Sequence, residues 1–221
     1  MTTSVAWFAD VLLSDRPTAA RVAVQTLLAG GRDPRSIYID VLAPALEEVG
    51  VRWARGQITI AQEHLATTVV SSIMDALAPQ LARGQTLPHS IALAGTSGEL
   101  HVVGLDMVED FLAGDGWETY NFGAATPAQG FVEFVAAIGA DAVGLSTTLT
   151  THLRAAEETI AALRLLERPP FIIVGGQAYG DSDAVARAIG ADAYARDARA
   201  ASAGLGHHLS SIGARRDAEL P

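Results

Sequence analysis

The spacing of apolar residues changes once along this chain, and that change limits the folds open to it. From Ser4 to about Leu81 they recur every third or fourth position, as in Phe8, Val11 and Leu12 or Val41, Leu42, Leu46 and Val49, which is the period of a helix packed on one side. Four helices are predicted, near 3–14, 17–29, 34–54 and 59–82. They are separated by Asp15-Arg16-Pro17, Gly30-Gly31 and Arg55-Gly56, residues that stop helices or open turns. Connections this short predict an antiparallel four-helix bundle.

After Arg83-Gly84-Gln85-Thr86-Leu87-Pro88 the pattern becomes short β-type runs alternating with helical stretches. The strands are placed at Ser90–Ala94, Glu118–Asn121, Ala142–Leu145, Phe171–Val174 and Ala191–Tyr194. Helix-length segments between them imply parallel strands joined by right-handed crossovers. The expectation is an α/β protein: an N-terminal helical bundle over residues 1–86, then a Rossmann-like (flavodoxin-like) domain with a five-stranded parallel sheet over 87–221. Such a sheet takes its ligand beyond the carboxyl ends of its strands. The candidate loops are therefore Gly95 to Gly104, Phe122 to Pro127, Ser146 to Thr151 and Gly175 to Gly180.

Composition removes several function classes. The chain contains no cysteine, which excludes disulfides, thiolate metal sites and thioether-linked chromophores. Fifteen Lys and Arg stand against 25 Asp and Glu, a net charge of -10, the wrong sign for neutralising a phosphate backbone. Direct nucleic-acid binding is not expected, and Arg215-Arg216 is too short a basic run to alter that. No apolar run reaches the roughly 18 residues a membrane span needs. Met1 to Asp15 also lacks the basic start of a signal peptide, so a cytoplasmic protein is expected.

The first candidate loop reads Gly95-Thr96-Ser97-Gly98-Glu99-Leu100-His101-Val102-Val103-Gly104. It sets a carboxylate two residues before a histidine at a strand end. A carboxylate bonded to one ring nitrogen fixes the tautomer and makes the other nitrogen a better metal ligand. The segment resembles the Asp-x-His-x-x-Gly signature of base-off, His-on cobalamin-binding domains, with Glu99 where that family usually carries aspartate. Ser146-Thr147-Thr148 resembles the family's Ser-x-Thr element, and Gly175-Gly176 its Gly-Gly element. Each is weak alone, since a glycine pair after a strand is ordinarily a turn and a serine there a helix cap. The three occur in the family's order and on predicted strand ends. The resemblance covers roughly residues 10–210 and implies that cobalamin binds with His101 as lower cobalt ligand. It places Glu99, Gly104, Ser146, Thr148, Gly175 and Gly176 around the cofactor.

In the bundle, Trp53 is followed after nine residues by Glu63-His64. This resembles the Trp-x9-Glu-His motif of adenosylcobalamin-dependent photoreceptor domains. The resemblance implies that Trp53 and Glu63 contact the adenosyl group and that His64 replaces it on cobalt after light breaks the cobalt–carbon bond. His64, Thr67, Thr68 and Ser71 form a polar seam at i, i+3, i+4 and i+7. The rest of that helix is apolar, with Ile60, Leu65, Val69, Val70, Ile73 and Leu77.

These resemblances imply a cobalamin-binding light sensor, with adenosylcobalamin as cofactor and a homo-oligomer or a downstream protein partner as output. The alternative is a corrinoid protein that carries a methyl group between methyltransferases. A bilin, if bound, is held without a covalent bond, near His152, Tyr120, Phe122, Phe131 and Phe134; ordinary core packing also accounts for these aromatics. A nicotinamide enzyme is not expected, because Gly95-Thr96-Ser97-Gly98 does not supply a Gly-x-Gly-x-x-Gly turn.

Overall fold

The computed structural model describes residues 5–14, 16–81, 85–180 and 182–218. The start expected at residue 3 for the first helix, the end expected at 82 for the fourth and the Arg83-Gly84 link lie outside them. The chain forms two compact units, 1–82 and 83–221.

The first unit is helical: α1 Val5–Leu12, α2 Pro17–Ala29, α3 Pro34–Ile37, α4 Ala43–Ala54 and α5 Ile60–Leu77. Local chemistry sets the starts. Asp33 accepts from the Ser36 amide ahead of α3 at 3.1 Å, with Pro34 next in the chain. Thr59 and Gln62 cap α5 reciprocally, each side chain accepting the other's amide at 3.3 and 2.9 Å. Between α3 and α4 lies a π-helical turn, Tyr38–Leu42. Pro44 has no N–H to give the Asp40 carbonyl and its ring would crowd that carbonyl, and the chain widens there, with the Ala43 amide donating to Tyr38. The expected helix over 34–54 is thus interrupted, and the last expected helix ends early at Leu77, followed by a short 3₁₀ turn that contains Pro79.

Phe8, Leu12, Val24, Ile37, Val41, Leu42, Val49, Val70, Ile73 and Leu77 are buried in this unit. Ile60 and Leu65, expected on the apolar side of α5, instead stand 48% and 45% exposed. The buried face of α5 runs through Ala66, Val69, Val70, Ile73, Met74 and Leu77, positions three and four apart that turn Ile60 and Leu65 outward.

The second unit is a five-stranded parallel sheet: β1 Ser90–Gly95, β2 Glu118–Asn121, β3 Ala142–Ser146, β4 Phe171–Gly175 and β5 Ala193–Ala195. The spatial order is β2-β1-β3-β4-β5. Helices α6 Val103–Gly114, α7 Ala128–Ile138, α8 Leu153–Arg164, α9 Ala184–Ala188 and α10 Ala198–Ala218 follow the strands. Alternate strand residues feed two cores, as the pleat requires. Ala92, Ala94, Val143, Leu145, Ile172 and Val174 pack with Phe131, Val135, Ile160 and Leu163. Ile91, Leu93, Ala142 and Ile173 pack with Leu105, Leu112 and Leu205.

β5 begins two residues later than expected. The Ala191 amide closes the end of α9 on Ala186 at 3.0 Å, and the Asp192 carboxylate accepts the Ile172 amide at 2.7 Å, so both residues are committed before the strand starts.

One buried bond ties α5 to the π turn: the Tyr38 hydroxyl donates to the Met74 carbonyl at 3.0 Å, and the ring is fully buried. Tyr38→Phe is expected to cost about 1 kcal/mol, read as a lower urea midpoint with an unchanged slope.

Candidate functional site

The order β2-β1-β3 makes the carboxyl ends of β1 and β3 a topological switch point, where the connections leave in opposite directions and open a crevice. The chain closes the base of that crevice with backbone bonds. The Thr96 amide donates to Ser146 at 3.1 Å, Gly95 to Gly123 at 2.8 Å and Thr147 to Gly175 at 2.9 Å. Each strand end is thereby fixed to its neighbour before any side chain is considered.

Glu99 lies at the centre of this arrangement and is completely buried. Oε1 accepts from the His101 amide at 3.0 Å and from His101 Nδ1 at 2.5 Å. Oε2 accepts from the amides of Thr148 and Leu149 at 2.8 and 3.1 Å, and from His152 Nδ1 at 3.2 Å. The Glu99 backbone is held too: its amide donates to Thr96 at 2.8 Å and its carbonyl accepts from Ala125 at 2.7 Å. Ala125 has φ 49°, the only positive φ at a non-glycine among the described residues. Such strain persists where surrounding bonds over-determine the backbone.

Burial pushes the Glu99 carboxyl up. The His101 amide and ring, the Thr148 amide and the His152 ring outweigh it and hold the carboxyl at about 2. An ionised carboxylate only accepts hydrogen bonds, so Nδ1 of both imidazoles carries the proton. His101 is half-exposed, and its Nε2 is the ring nitrogen that Glu99 does not engage.

Ser146 ends β3, half-buried, with its carbonyl accepting from the Thr96 amide and hydroxyl at 3.1 and 3.4 Å. Thr148 contributes its amide to Glu99. Thr147, between them, is the buried one: its hydroxyl lies 3.3 Å from that of Thr96 and 3.2 Å from the Tyr179 phenol. Burial raises the Tyr179 pKa above its usual 10, and the Thr147 bond opposes the shift.

Gly176 has φ +106°, and a Cβ there would fall 2.3 Å from the Thr147 carbonyl, while a Cβ at Gly175 would fall 2.8 Å from the Ala195 carbonyl. The glycine pair is thus demanded by the close approach of the chain to itself. A Cβ at Gly104, in the first turn of α6, would meet nothing within 4 Å. In the helical unit, Trp53 lies in the last turn of α4 and is 45% exposed. Glu63 accepts from the Thr67 hydroxyl at 3.1 Å and lies 3.6 Å from His64, whose side chain is 73% exposed.

The structure therefore brings Glu99, His101 and Thr148 together and adds Leu149 and His152, whose bonds to Glu99 the sequence did not disclose. The signal that could have found them is the switch point itself, which sets the β1 and β3 loops side by side. The aromatics considered for a bilin pack on one another instead: Phe122 lies 5.3 Å from Phe131 and 4.9 Å from Phe134, and Tyr120 lies 5.4 Å from Phe134, between ring centroids. No helix among the described residues is long and apolar enough to cross a membrane.

Comparison with known proteins matches residues 89–204 to a B12 binding domain and residues 9–78 to a second B12 binding domain model. A dimethylamine corrinoid protein of Methanosarcina barkeri is 31% identical over 206 residues, covering 88% of this chain and 92% of that protein. Dimethylamine corrinoid protein 1 of Methanosarcina acetivorans is 30% identical over 200 residues, with the same coverage. The monomethylamine corrinoid protein structure from Methanosarcina barkeri shares the fold, with a TM-score of 0.79, 21% identity, and coverage of 90% of this chain and 94% of that one.

The HTH-type transcriptional repressor CarH of Myxococcus xanthus is 33% identical over 172 residues, 77% of this chain but only 56% of the repressor. These matches overturn the light-sensor function inferred from Trp53, Glu63 and His64, because the proteins matched along nearly their whole length are methylamine corrinoid proteins.

Glu99 supplies the prediction here. Its folded pKa lies below its ordinary 4.5, so its stabilisation is complete above about 4.5 and is lost as pH falls through about 2. The difference corresponds to at most about 3 kcal/mol. Glu99→Gln should lower stability at neutral pH and flatten the stability profile between those limits, as followed by denaturant midpoints across pH. On its motifs, its two matched segments and its length-wide relatives, the chain belongs to the B12-binding domain family.

Proposed function

We propose that this chain is a corrinoid protein that carries a methyl group between methyltransferases. The observation that carries the reading is the likeness to dimethylamine corrinoid proteins along nearly the full length of both chains, helical unit and sheet unit together. A local motif in one helix pair had favoured the sensor; the length-wide match favours the carrier.

The residues present fit a cobalamin. A half-exposed imidazole with Nδ1 tied to a buried carboxylate offers Nε2 as a neutral ligand for cobalt. Leu100, between the two, is 71% exposed and Leu149 is 44% exposed, apolar surface suited to a macrocycle. A Cβ at Gly104 would meet nothing within 4 Å, so the first turn of α6 is open there. In this reading His101 is the lower ligand, Glu99 fixes its tautomer and direction, and Ser146, Thr148, Gly175 and Gly176 shape the ground around it.

Bound cobalamin would supply a cobalt that takes up a methyl group by forming a cobalt–carbon bond and gives it up when that bond breaks. The chain's share is to hold His101 at a set distance and angle, to keep its proton on Nδ1 and to exclude water from Glu99. The upper group is then methyl, and an adenosyl group has no part. Partners are the proteins that deliver and remove the methyl group; self-association and the roles inferred for Trp53, Glu63 and His64 are not required.

The test is to load the chain with isotopically labelled methylcobalamin and add a thiol together with a corrinoid-dependent thiol methyltransferase. The expected result is label on the thiol, dependent on the chain and weakened by His101→Ala. Binding confined to adenosylcobalamin, with no label transferred, would contradict the reading.

A further inference from the structure

β2 is one edge of the sheet, and among the described residues its outer side pairs with no strand. The amides of Glu118 and Phe122 donate inward, to the carbonyls of His89 and Leu93 on the β1 side, at 3.0 and 2.8 Å. The ladder between them stays in register, so every second residue turns inward and the N–H and C=O of Thr119 and Asn121 point outward. Such a row of open backbone groups is a template for one more strand.

The two flanks of that edge differ, because alternate side chains go to opposite faces. Toward α6, the Thr119 hydroxyl donates to Glu109 at 3.2 Å, and the Asn121 amide group donates to Asp106 and Glu109 at 2.9 and 2.7 Å. Toward α7, Tyr120 and Phe122 pack edge-on against Phe134, and Phe122 is 37% exposed. A strand laid along β2 thus meets carboxylates on one face and aromatic rings on the other.

Charge decides which strand fits. Between Arg83 and Arg154 the chain has no lysine or arginine, and eight aspartates and glutamates. Glu109 is held by the neutral donors Thr119 and Asn121, and Glu118 by the Tyr120 hydroxyl. Charge on an edge strand guards it against pairing with a second copy, and here that charge is of one sign. The opposite edge of the sheet does not compensate, since Arg187 and Arg196 beside β5 are paired with Asp183 and Asp197. Another copy of this chain is repelled, and a cationic strand is drawn in.

We propose that the open edge of β2 receives an extended segment of a protein partner in which basic residues alternate with apolar ones, the basic ones facing α6 and the apolar ones facing Tyr120 and Phe122. Backbone bonds to Thr119 and Asn121 supply affinity, and the two unlike faces select the sequence. The pairing asks nothing of the cofactor, so it stands or falls apart from the methyl-carrier reading.

The experiment uses the full ¹⁵N-labelled chain and a short peptide of alternating lysine and valine, with amide hydrogen exchange followed residue by residue. At saturating peptide, exchange at Thr119 and Asn121 is expected to slow at least about tenfold, as for amides newly bonded in a ladder, while exchange in β4 is unchanged. Added salt should weaken the peptide, and a peptide of alternating glutamate and valine should protect neither amide. T119P removes an outward N–H that β1 does not use, a change an edge strand tolerates, and should abolish the protection at Asn121.

Should proline disturb the strand, seen as a lower melting temperature, E109Q is read in its place and should bind the peptide about twofold to fivefold more weakly, the range for loss of an exposed ion pair. Absence of protection at Thr119 and Asn121 in the wild-type chain would overturn the proposal. Equal protection by the glutamate peptide would overturn it as well, and so would wild-type binding in T119P, or in E109Q where that variant is read. A chain that dimerises without peptide and protects the same two amides would also overturn it, because the occupant would then be a second copy.

Discussion

A carboxylate sealed from water is the constraint on which the rest of the sheet unit depends. Burying an ionised group without partners costs many kcal/mol, and Glu99 is tolerated at zero exposure because five N–H donors reach it. Three of those donors come from a loop some 50 residues away, so the charge holds only when β1 and β3 are paired with their ends in register. The Glu99 bonds and the fold of the crevice are thus one requirement. The strained Ala125 and the left-handed Gly98 and Gly176 lie in the same cluster of loops.

That requirement explains why the site falls where it does. In the order β2-β1-β3-β4-β5 the connection from β1 passes to one side of the sheet and the entry to β3 comes from the other. The crevice is left free for side chains that meet there and nowhere else. A half-exposed imidazole at its rim, backed by a buried anion, has one nitrogen fixed and the other available. This is the arrangement that serves a metal ligand.

Much of this was legible in the sequence. Five strands, the helical cap, the Glu99–His101 pair and the cobalamin family follow from period and from short motifs at strand ends. The misreadings have separate physical causes. Pro44 and Pro79 altered helices whose apolar period ran straight through them. Asp192 was drawn into a strand because its neighbours are apolar, whereas its carboxylate belongs to Ile172. Ile60 and Leu65 count among the apolar residues of α5, yet the 3.6-residue turn carries them outward. The bonds from Leu149 and His152 to Glu99 had no local signal, since they depend on which strands are neighbours. The function was misread because Trp53, Glu63 and His64 form a local motif on one helix pair, and a local motif carries less about function than likeness along the whole chain.

The central claim is that Glu99 presents His101 Nε2 as the lower ligand of a corrinoid cobalt. A crystal structure of the cobalamin-loaded chain, with the cobalt located by its anomalous scattering, tests it most directly. The account predicts cobalt within bonding distance of His101 Nε2 while Nδ1 remains on Glu99. Cobalt held by the cofactor's own base, with the His101 ring turned away from Glu99, would contradict it.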